Sequence, residues 1–258
     1  MHPLAFTVPP VEELVTWPPI WTLHLAGFDL SINRVVLLIF LATGVASALF
    51  LAAFTRPKLV PRGIQNVAEI GVEFVRNGII METVGPEGLK WLPYFTALFF
   101  FILFNNMLEV IPGINFPTNC RMGMPLFLTG ISWVMFNVVG IQKQGFLKYL
   151  KNLVAPAGVP AYVLPIFAPI ELVSTLIVRP LTLSVRLFAN MLAGHMILTV
   201  FFLATDLFFA PKITALMAVA PFALAVALLG FEVLVAFLQA YIFTILTAVY
   251  IQLAGEHH

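Results

Sequence analysis

The sequence predicts an all-α polytopic membrane protein with five transmembrane helices and an additional interfacial helix. Of the 258 residues, 61% are hydrophobic and 10% are charged, whereas an ordinary soluble domain has about 25% charged residues. Five apolar segments are long enough to cross the hydrocarbon core of a bilayer, which takes roughly 20 helical residues. We therefore expect residues 1–258 to form a single membrane domain.

The composition argues against several classes of function. The 13 Lys and Arg residues nearly balance the 12 Asp and Glu residues, and no charge run points to a nucleic-acid partner. Cys120 is the sole cysteine, which rules out an internal disulfide. Its polar neighbours Asn119 and Arg121 do not suggest a metal site, and we expect no cofactor.

The N-terminal part of the chain is predicted to lie outside the cytoplasm. Residues 1–33 lack the basic region of a signal peptide, so we interpret them as an extracytoplasmic extension. The first transmembrane helix is predicted over residues 35–54, with Ser31 or Asn33 as its N-cap. It ends at the proline-containing basic segment TRPKLVPR.

Three further segments follow. Apolar and charged residues interleave over residues 62–85, which predicts an interfacial amphipathic helix rather than a crossing. The second crossing, WLPYFTALFFFILFNNMLEVIPG, starts with the aromatic residues Trp91 and Tyr94. The third crossing is predicted over residues 125–141, and the basic segment KQGFLKYLKN follows it.

The last two apolar segments are longer than one crossing requires. They cover residues 163–205 and 213–253, and no Gly-Pro or Asn-Gly pair interrupts either one near its middle. We therefore predict two long, strongly tilted helices that form an antiparallel hairpin over residues 163–254.

The distribution of basic residues predicts the orientation. Most Lys and Arg residues lie in the segments 55–90 and 142–155, whereas the other side has Arg34, Arg121 and Lys212. Because basic loops stay in the cytoplasm, we expect the N-terminus outside and the C-terminus inside.

The fourth apolar segment contains ionisable residues that are costly in a membrane: Glu171, Arg179, Arg186 and His195. An ionisable group at the bilayer centre costs about 2.5–3.5 kcal/mol on insertion scales, so a function or a named partner is expected. At 100° per residue, Arg186 and Asn190 share one helical face, whereas His195 lies on the opposite face.

The fifth apolar segment places Glu232 and Gln239 on one face of its helix. If the hairpin turns within residues 206–212, His195 and Glu232 differ by roughly 14 Å in axial height. This offset favours a shared water-filled path over a direct ion pair.

Structural explanations remain for several of these residues. Arg179 has a possible partner in Glu171, near a membrane interface. Asn105 and Glu109 either line an outer aqueous entrance or form a solvated cluster at a helix end. Arg186 has a possible buried partner in Glu232.

Two motifs identify a family resemblance. LSVRLFANMLAGH, followed by FLQAYIFTILTAVYI, resembles the signature of subunit a of rotary F-type ATP synthases, in the bacterial form. In this resemblance Arg186 matches the essential arginine, Asn190 the following asparagine, and Gln239 the glutamine that faces it. Compared with one common version of the pattern, His195 and Glu232 stand in exchanged positions.

The resemblance implies a proton-translocating stator subunit in the bacterial inner (plasma) membrane, which performs no covalent catalysis itself. It implies a rotor ring of subunit c, the peripheral-stalk subunit b and the remaining ATP synthase subunits as partners, within the lipid bilayer. Arg186 would favour the ionised form of a nearby ring carboxylate and block proton leakage between two aqueous half-channels. The residues expected in proton translocation are Arg186, Asn190, His195, Glu232, Gln239, Glu109 and Glu171.

Two other classes of function compete with this interpretation. A secondary transporter would show inverted repeats and paired helices broken by Gly or Pro, and the sequence shows neither feature. In a structural membrane scaffold, Arg186 would do no more than form an ion pair.

Overall fold

A computed structural model describes residues 20–22, 24–25, 28–29, 31–111, 118–154, 162–209 and 215–256. Most of the predicted N-terminal extension and residues 210–214 of the hairpin link lie outside this part of the chain. The described part of the extension includes two short antiparallel strands, β1 (His24–Leu25) and β2 (Phe28–Asp29).

The predicted helical membrane fold is confirmed. Five helical segments of the described chain are long and apolar enough to span a membrane, and they cover Arg34–Phe54, Pro86–Val110, Gly123–Gln144, Leu164–Phe208 and Val219–Gly255. Their number and order match the sequence-based prediction.

Helix α1 (Arg34–Phe54) begins at the predicted cap. The Asn33 side chain accepts a hydrogen bond from the backbone N–H of Val36 at 3.0 Å, which satisfies one of the free donors at the helix start. The helix ends before Pro57, whose ring prevents continuation.

Helix α2 (Ile64–Val75) continues through a π-helical segment, Arg76–Ile80, and a final turn, Met81–Thr83. The Gln65 side chain stabilises the start of α2. Its Oε1 accepts a hydrogen bond from the backbone N–H of Lys58, and its amide donates one to the carbonyl of Lys58. The helix coincides with the segment predicted as amphipathic, and its location in the membrane interface stays a prediction.

The next three helices are α3 (Leu92–Val110), α4 (Gly123–Gln144) and α5 (Phe146–Val154). The basic segment after the third crossing was predicted as a loop, but most of it forms α5. Gly145 has a φ of 81° and allows the sharp turn between α4 and α5.

The last two spans are long helices without a central turn, as predicted. The fourth consists of α6 (Leu164–Val173), a π-helical segment (Ser174–Val178) and α7 (Arg179–Phe209). The π segment ends two residues before Pro180, which cannot donate the usual backbone hydrogen bond. The fifth is α8 (Val219–Glu256), whose 38 residues extend about 57 Å.

Helix α8 packs against α3, α4 and α7. Small residues allow this close approach, because lipid offers no hydrophobic driving force and helices associate through tight packing. The buried residues of α8 include Ala236, Ala240, Thr244, Thr247 and Ala248. This packing places the polar residues of α8 directly against α7 and α3.

Candidate functional site

Two contacts establish the register of α7 and α8. The Asn190 side-chain amide donates a hydrogen bond to Oε1 of Gln239 at 2.8 Å, and the Glu232 carboxylate lies against Gly194. Because the partner number falls as the α7 number rises, the two helices are antiparallel, as predicted.

The register differs from the expected one. The pair Gly194 and Glu232 is centred at residue 213, whereas the turn was expected within residues 206–212. Residues 206–209 belong to α7, and with the register centred at residue 213 the expected axial offset between His195 and Glu232 is absent.

Gly194 makes room for the carboxylates. A Cβ atom at this position would lie 2.8 Å from Oε1 of Glu232 and 3.8 Å from Oε1 of Glu109. Real Cβ atoms do not come this close to another atom, so with any other residue at this position the Glu232 carboxylate would have to move away from the backbone of α7. Sequence reasoning assigned no role to Gly194, although its position beside His195 in an apolar helix was a signal.

Three titratable side chains from three helices converge here: Glu109 of α3, His195 of α7 and Glu232 of α8, and we call them the buried trio. Nδ1 of His195 lies 3.9 Å from Oε1 of Glu109. The exposed fractions of Glu109, His195 and Glu232 are 3%, 6% and 9%. Glu109 Oε1 and Glu232 Oε2 have no hydrogen-bond partner in the described chain.

This arrangement suits the binding and transfer of protons. An isolated buried charge is strongly disfavoured, so buried carboxyl groups hold protons or gain partners. An imidazole can accept and donate a proton near neutral pH. Glu109 therefore joins His195 and Glu232 in one site, although its helix is distant in sequence.

A cavity connects the two acids of the buried trio, Glu109 and Glu232, to the face of α7. It has a volume of about 370 Å³, and its lining includes Glu109, Asn190, Gly194, Glu232 and Gln239. Asn190 is exposed, so the cavity reaches from the buried carboxylates to the outer surface of the helix pair.

Arg186 lies on this outer surface. Its side chain is exposed, and among the described residues it makes no hydrogen bond and no ion pair. The possible pairing with Glu232 is therefore not formed, because Glu232 packs on Gly194 instead. Arg186 and Asn190, one helical turn apart, form what we call the polar face of α7.

Arg179 and Glu171 form a separate pair. Nη2 of Arg179 donates to Oε1 of Glu171 at 2.8 Å, and the guanidinium lies 5.7 Å from the ring centre of Tyr250. The possible partner of Arg179 is thus present. Glu171 lies outside the cavity and outside the buried trio.

A buried polar network adjoins Glu109. Asn105 and Asn106 are fully buried, so a solvated cluster at the end of α3 is not what the structure shows. Thr118 donates to Oδ1 of Asn105 at 3.1 Å, and the Asn119 amide donates to Oδ1 of Asn106 at 2.6 Å. Thr118 and Asn119 had no predicted role, because their partners lie on another element.

Comparison with known proteins identifies the family. The sequence model of the family described as "ATP synthase A chain" matches residues 35–252, which is most of the chain.

The chain belongs to the ATP synthase A chain family.

Individual relatives agree with this assignment. The chain is 44% identical over 252 residues to ATP synthase subunit a of Rhodococcus erythropolis, covering 96% of this chain and 90% of the relative. It is 40% identical to ATP synthase subunit a of Frankia alni, covering 96% and 87% of the two chains. For ATP synthase subunit a of Rhodopseudomonas palustris the identity is 41%, covering 88% of this chain and 90% of the relative.

Membership in the ATP synthase A chain family supports a role as a proton-translocating stator subunit in the membrane sector of an ATP synthase. With its five spanning helices, the protein is a multi-pass membrane protein.

Proposed function

We propose that this chain provides two aqueous half-channels beside a rotor ring, and that Arg186 controls the protonation of the ring carboxylates. The observation that carries the proposal is the exposed, unpaired guanidinium of Arg186 within the described part of a membrane-spanning helix. An arginine in such a place calls for an external partner, and a ring carboxylate supplies the opposite charge.

The surface around Arg186 supports a protein partner. In the most apolar 18-residue stretch of each span, the share of buried residues is 22% in the first and fourth spans and 11% in the fifth span. In the second span it is 50%. Helices α7 and α8 thus leave most of their surface to lipid or to another subunit. The rotor ring of subunit c would lie along the polar face of α7.

The guanidinium acts through its permanent charge. Arginine stays protonated in any protein environment, whereas lysine readily loses its proton when buried. A fixed positive charge favours the ionised form of a ring carboxylate that passes it. The same charge repels a proton that would otherwise cross directly between the two half-channels.

The hydrogen bond between Asn190 and Gln239 supports the arrangement of this face. It joins α7 to α8 one turn from Arg186. The Asn190 and Gln239 side chains also line the cavity that reaches Glu232. We infer that the pair separates the guanidinium from the buried trio and forms the last polar contacts of the inlet.

The buried trio would carry protons from the outer side to the ring. The route starts at the buried network of Asn105 and Asn106, passes Glu109 and His195, and reaches Glu232 beside the cavity. The second path would leave toward the start of the fourth span, on the side of Arg179 and Glu171.

The ring can turn because protonation determines whether its carboxyl groups can enter lipid. A neutral carboxyl can enter the hydrocarbon core, whereas a carboxylate cannot. Each charge moved across the membrane supplies about 2.3 kcal/mol per 100 mV. The positive-inside pattern supports an N-terminus outside and a C-terminus in the cytoplasm of a bacterial cell. Subunit b and the remaining subunits would hold the chain against the rotor.

Cross-linking tests the predicted ring contact. In a Cys120→Ser background, Ala189→Cys adds a thiol on the exposed surface next to Asn190. We expect a disulfide with a cysteine placed beside the ring carboxylate, seen as a joined band on a denaturing gel. Phe40→Cys, an exposed position on α1, is the matched control and should stay uncross-linked. Equal cross-linking at both positions, or none at Ala189→Cys, would contradict the proposal.

A further inference from the structure

A second feature of the structure, independent of the proton path, is a groove between α1 and α3. Its apolar part, which we call the slot, is a cavity of about 530 Å³, within the range of small-molecule sites. Phe50 and Phe100 form its walls, and the small side chains of Ala46 and Ala97 leave the space between the helices open.

Thr96 lines the slot and has a buried hydroxyl without a partner among the described residues. Its side chain is 9% exposed, and its hydroxyl has no hydrogen-bond partner in the described chain. A threonine in an apolar helix usually donates to the carbonyl four residues earlier, as Thr43 on the opposite wall does to Ile39 at 2.7 Å. A buried hydroxyl without a partner is costly, so a rotation of the Thr96 side chain toward an acceptor in the slot would be favourable.

The slot opens into a charged mouth. A neighbouring cavity of about 450 Å³ is lined by Glu69, Glu73 and Arg76. Both cavities share Phe54, Val72 and Leu92 in their linings. The groove therefore has a mostly apolar body, in which Thr43, Ser47 and Thr96 carry hydroxyls, and a mouth with two carboxylates and one guanidinium.

Hydrogen bonds from α2 orient the two acids of the mouth. The Gln65 amide donates to Oε1 of Glu69 at 2.7 Å, and the Asn77 amide donates to Oε1 of Glu73 at 3.4 Å. Each carboxylate can accept further hydrogen bonds. Arg76 makes no hydrogen bond or ion pair within the described residues, so its guanidinium is available for an anion.

We propose that this groove binds a glycerophospholipid whose head group carries both a phosphate and a primary ammonium. Its acyl chain fills the slot, and an ester carbonyl accepts the hydrogen bond of the Thr96 hydroxyl. The phosphate pairs with Arg76, because a guanidinium is well suited to phosphate oxygens. The ammonium lies between Glu69 and Glu73.

The charges of the mouth favour this lipid over other occupants. A lipid with a phosphate and no ammonium would leave two carboxylates near its own negative charge. A purely apolar helix of another subunit would leave all three charged side chains without partners, and removing such groups from water is costly. A head group with one charge of each sign pairs with both the acids and the guanidinium.

Photo-cross-linking in nanodiscs tests the proposal. The purified complex is reconstituted with phosphatidylethanolamine that has a diazirine on its acyl chain, and labelled peptides are mapped by mass spectrometry. Phosphatidylglycerol with the same diazirine chain is the matched probe. We expect labels on α1 and α3 residues of the slot, with about tenfold more from phosphatidylethanolamine, the ratio expected for one charge-assisted contact.

Two variants locate the site. Ala97→Trp fills the slot, and we expect it to lower the labelling about tenfold; Val45→Trp, on the neighbouring groove of α1, is the control and should leave labelling unchanged. Glu69→Gln with Glu73→Gln should keep the labels and remove the preference between the two lipids. Recovery of the intact complex shows that each variant folds. Two results in the unmodified protein would overturn the proposal. One is equal labelling by both lipids, and the other is labelling of another subunit with none on the residues of the slot.

Discussion

Glycine at position 194 determines how closely the Glu232 carboxylate can approach α7. The side chains of Glu109 and Glu232 approach α7 at the position where a Cβ is missing. Helix propensity alone disfavours glycine in the middle of a helix by about 0.5–1 kcal/mol relative to alanine. The close packing of a carboxylate accounts for the glycine at this position.

Gly194→Ala should therefore slow proton flux. The new methyl group would overlap Oε1 of Glu232, 2.8 Å away, and would displace the carboxylate from its place against α7. The measurement is ATP-driven acidification of inverted membrane vesicles, and we expect a clear loss of rate with normal amounts of complex.

Gly230→Ala on α8 is the matched control. A Cβ at position 230 meets no atom within 4 Å in the described chain, so this variant should pump normally. Equal rates for the Gly194 and Gly230 variants would show that the close approach has no part in proton transfer.

At the scale of elements, the C-terminal end of α3 is joined to Asn119 in the segment that follows it. The Asn119 amide donates to Oδ1 of Asn106, and the Asn106 amide donates to the carbonyl of Ala236 on α8 at 3.5 Å. Both asparagines are fully buried. This chain of amides connects Asn119 to α3 and α8. It lies one helical turn from Glu109 on α3.

Asn119→Ala should destabilise this connection. The change leaves Oδ1 of Asn106 buried without its donor, which costs about 1–3 kcal/mol. We expect a lower midpoint of thermal unfolding for the purified chain in detergent. Thr182→Ala, which removes an exposed hydrogen bond to the carbonyl of Arg179, is the control and should change stability by less than about 0.5 kcal/mol. An equal shift for the two variants would contradict the role of Asn119.

The elements themselves could be predicted well from the sequence, because apolar length and proline positions determine where a membrane helix can run. The cap at Asn33 and the uninterrupted α8 are examples. The register of the hairpin was not predicted correctly, because the polar residues Thr205 and Asp206 indicated an earlier end of the fourth span than Phe209. The contact between Glu109 and His195 could not be predicted either, because periodicity within one helix does not show which distant helix packs against it.

At the scale of the whole molecule, the protein separates two kinds of polar chemistry. The buried trio is enclosed by three helices, where a side chain can hold a proton away from water. The guanidinium of Arg186 is on the outer surface, where it can act on another subunit. The cavity and the hydrogen bond between Asn190 and Gln239 lie between them.

The most direct test of this separation is ATP-driven proton pumping by Arg186→Ala in membrane vesicles. We predict that pumping is abolished while the ring and this chain still copurify, because the variant removes the permanent charge and little of the packing of an exposed side chain. Val185→Ala, the exposed neighbouring position, should pump normally. Pumping by Arg186→Ala at the unmodified rate would contradict the account, and so would loss of assembly, since the residue would then be a structural one.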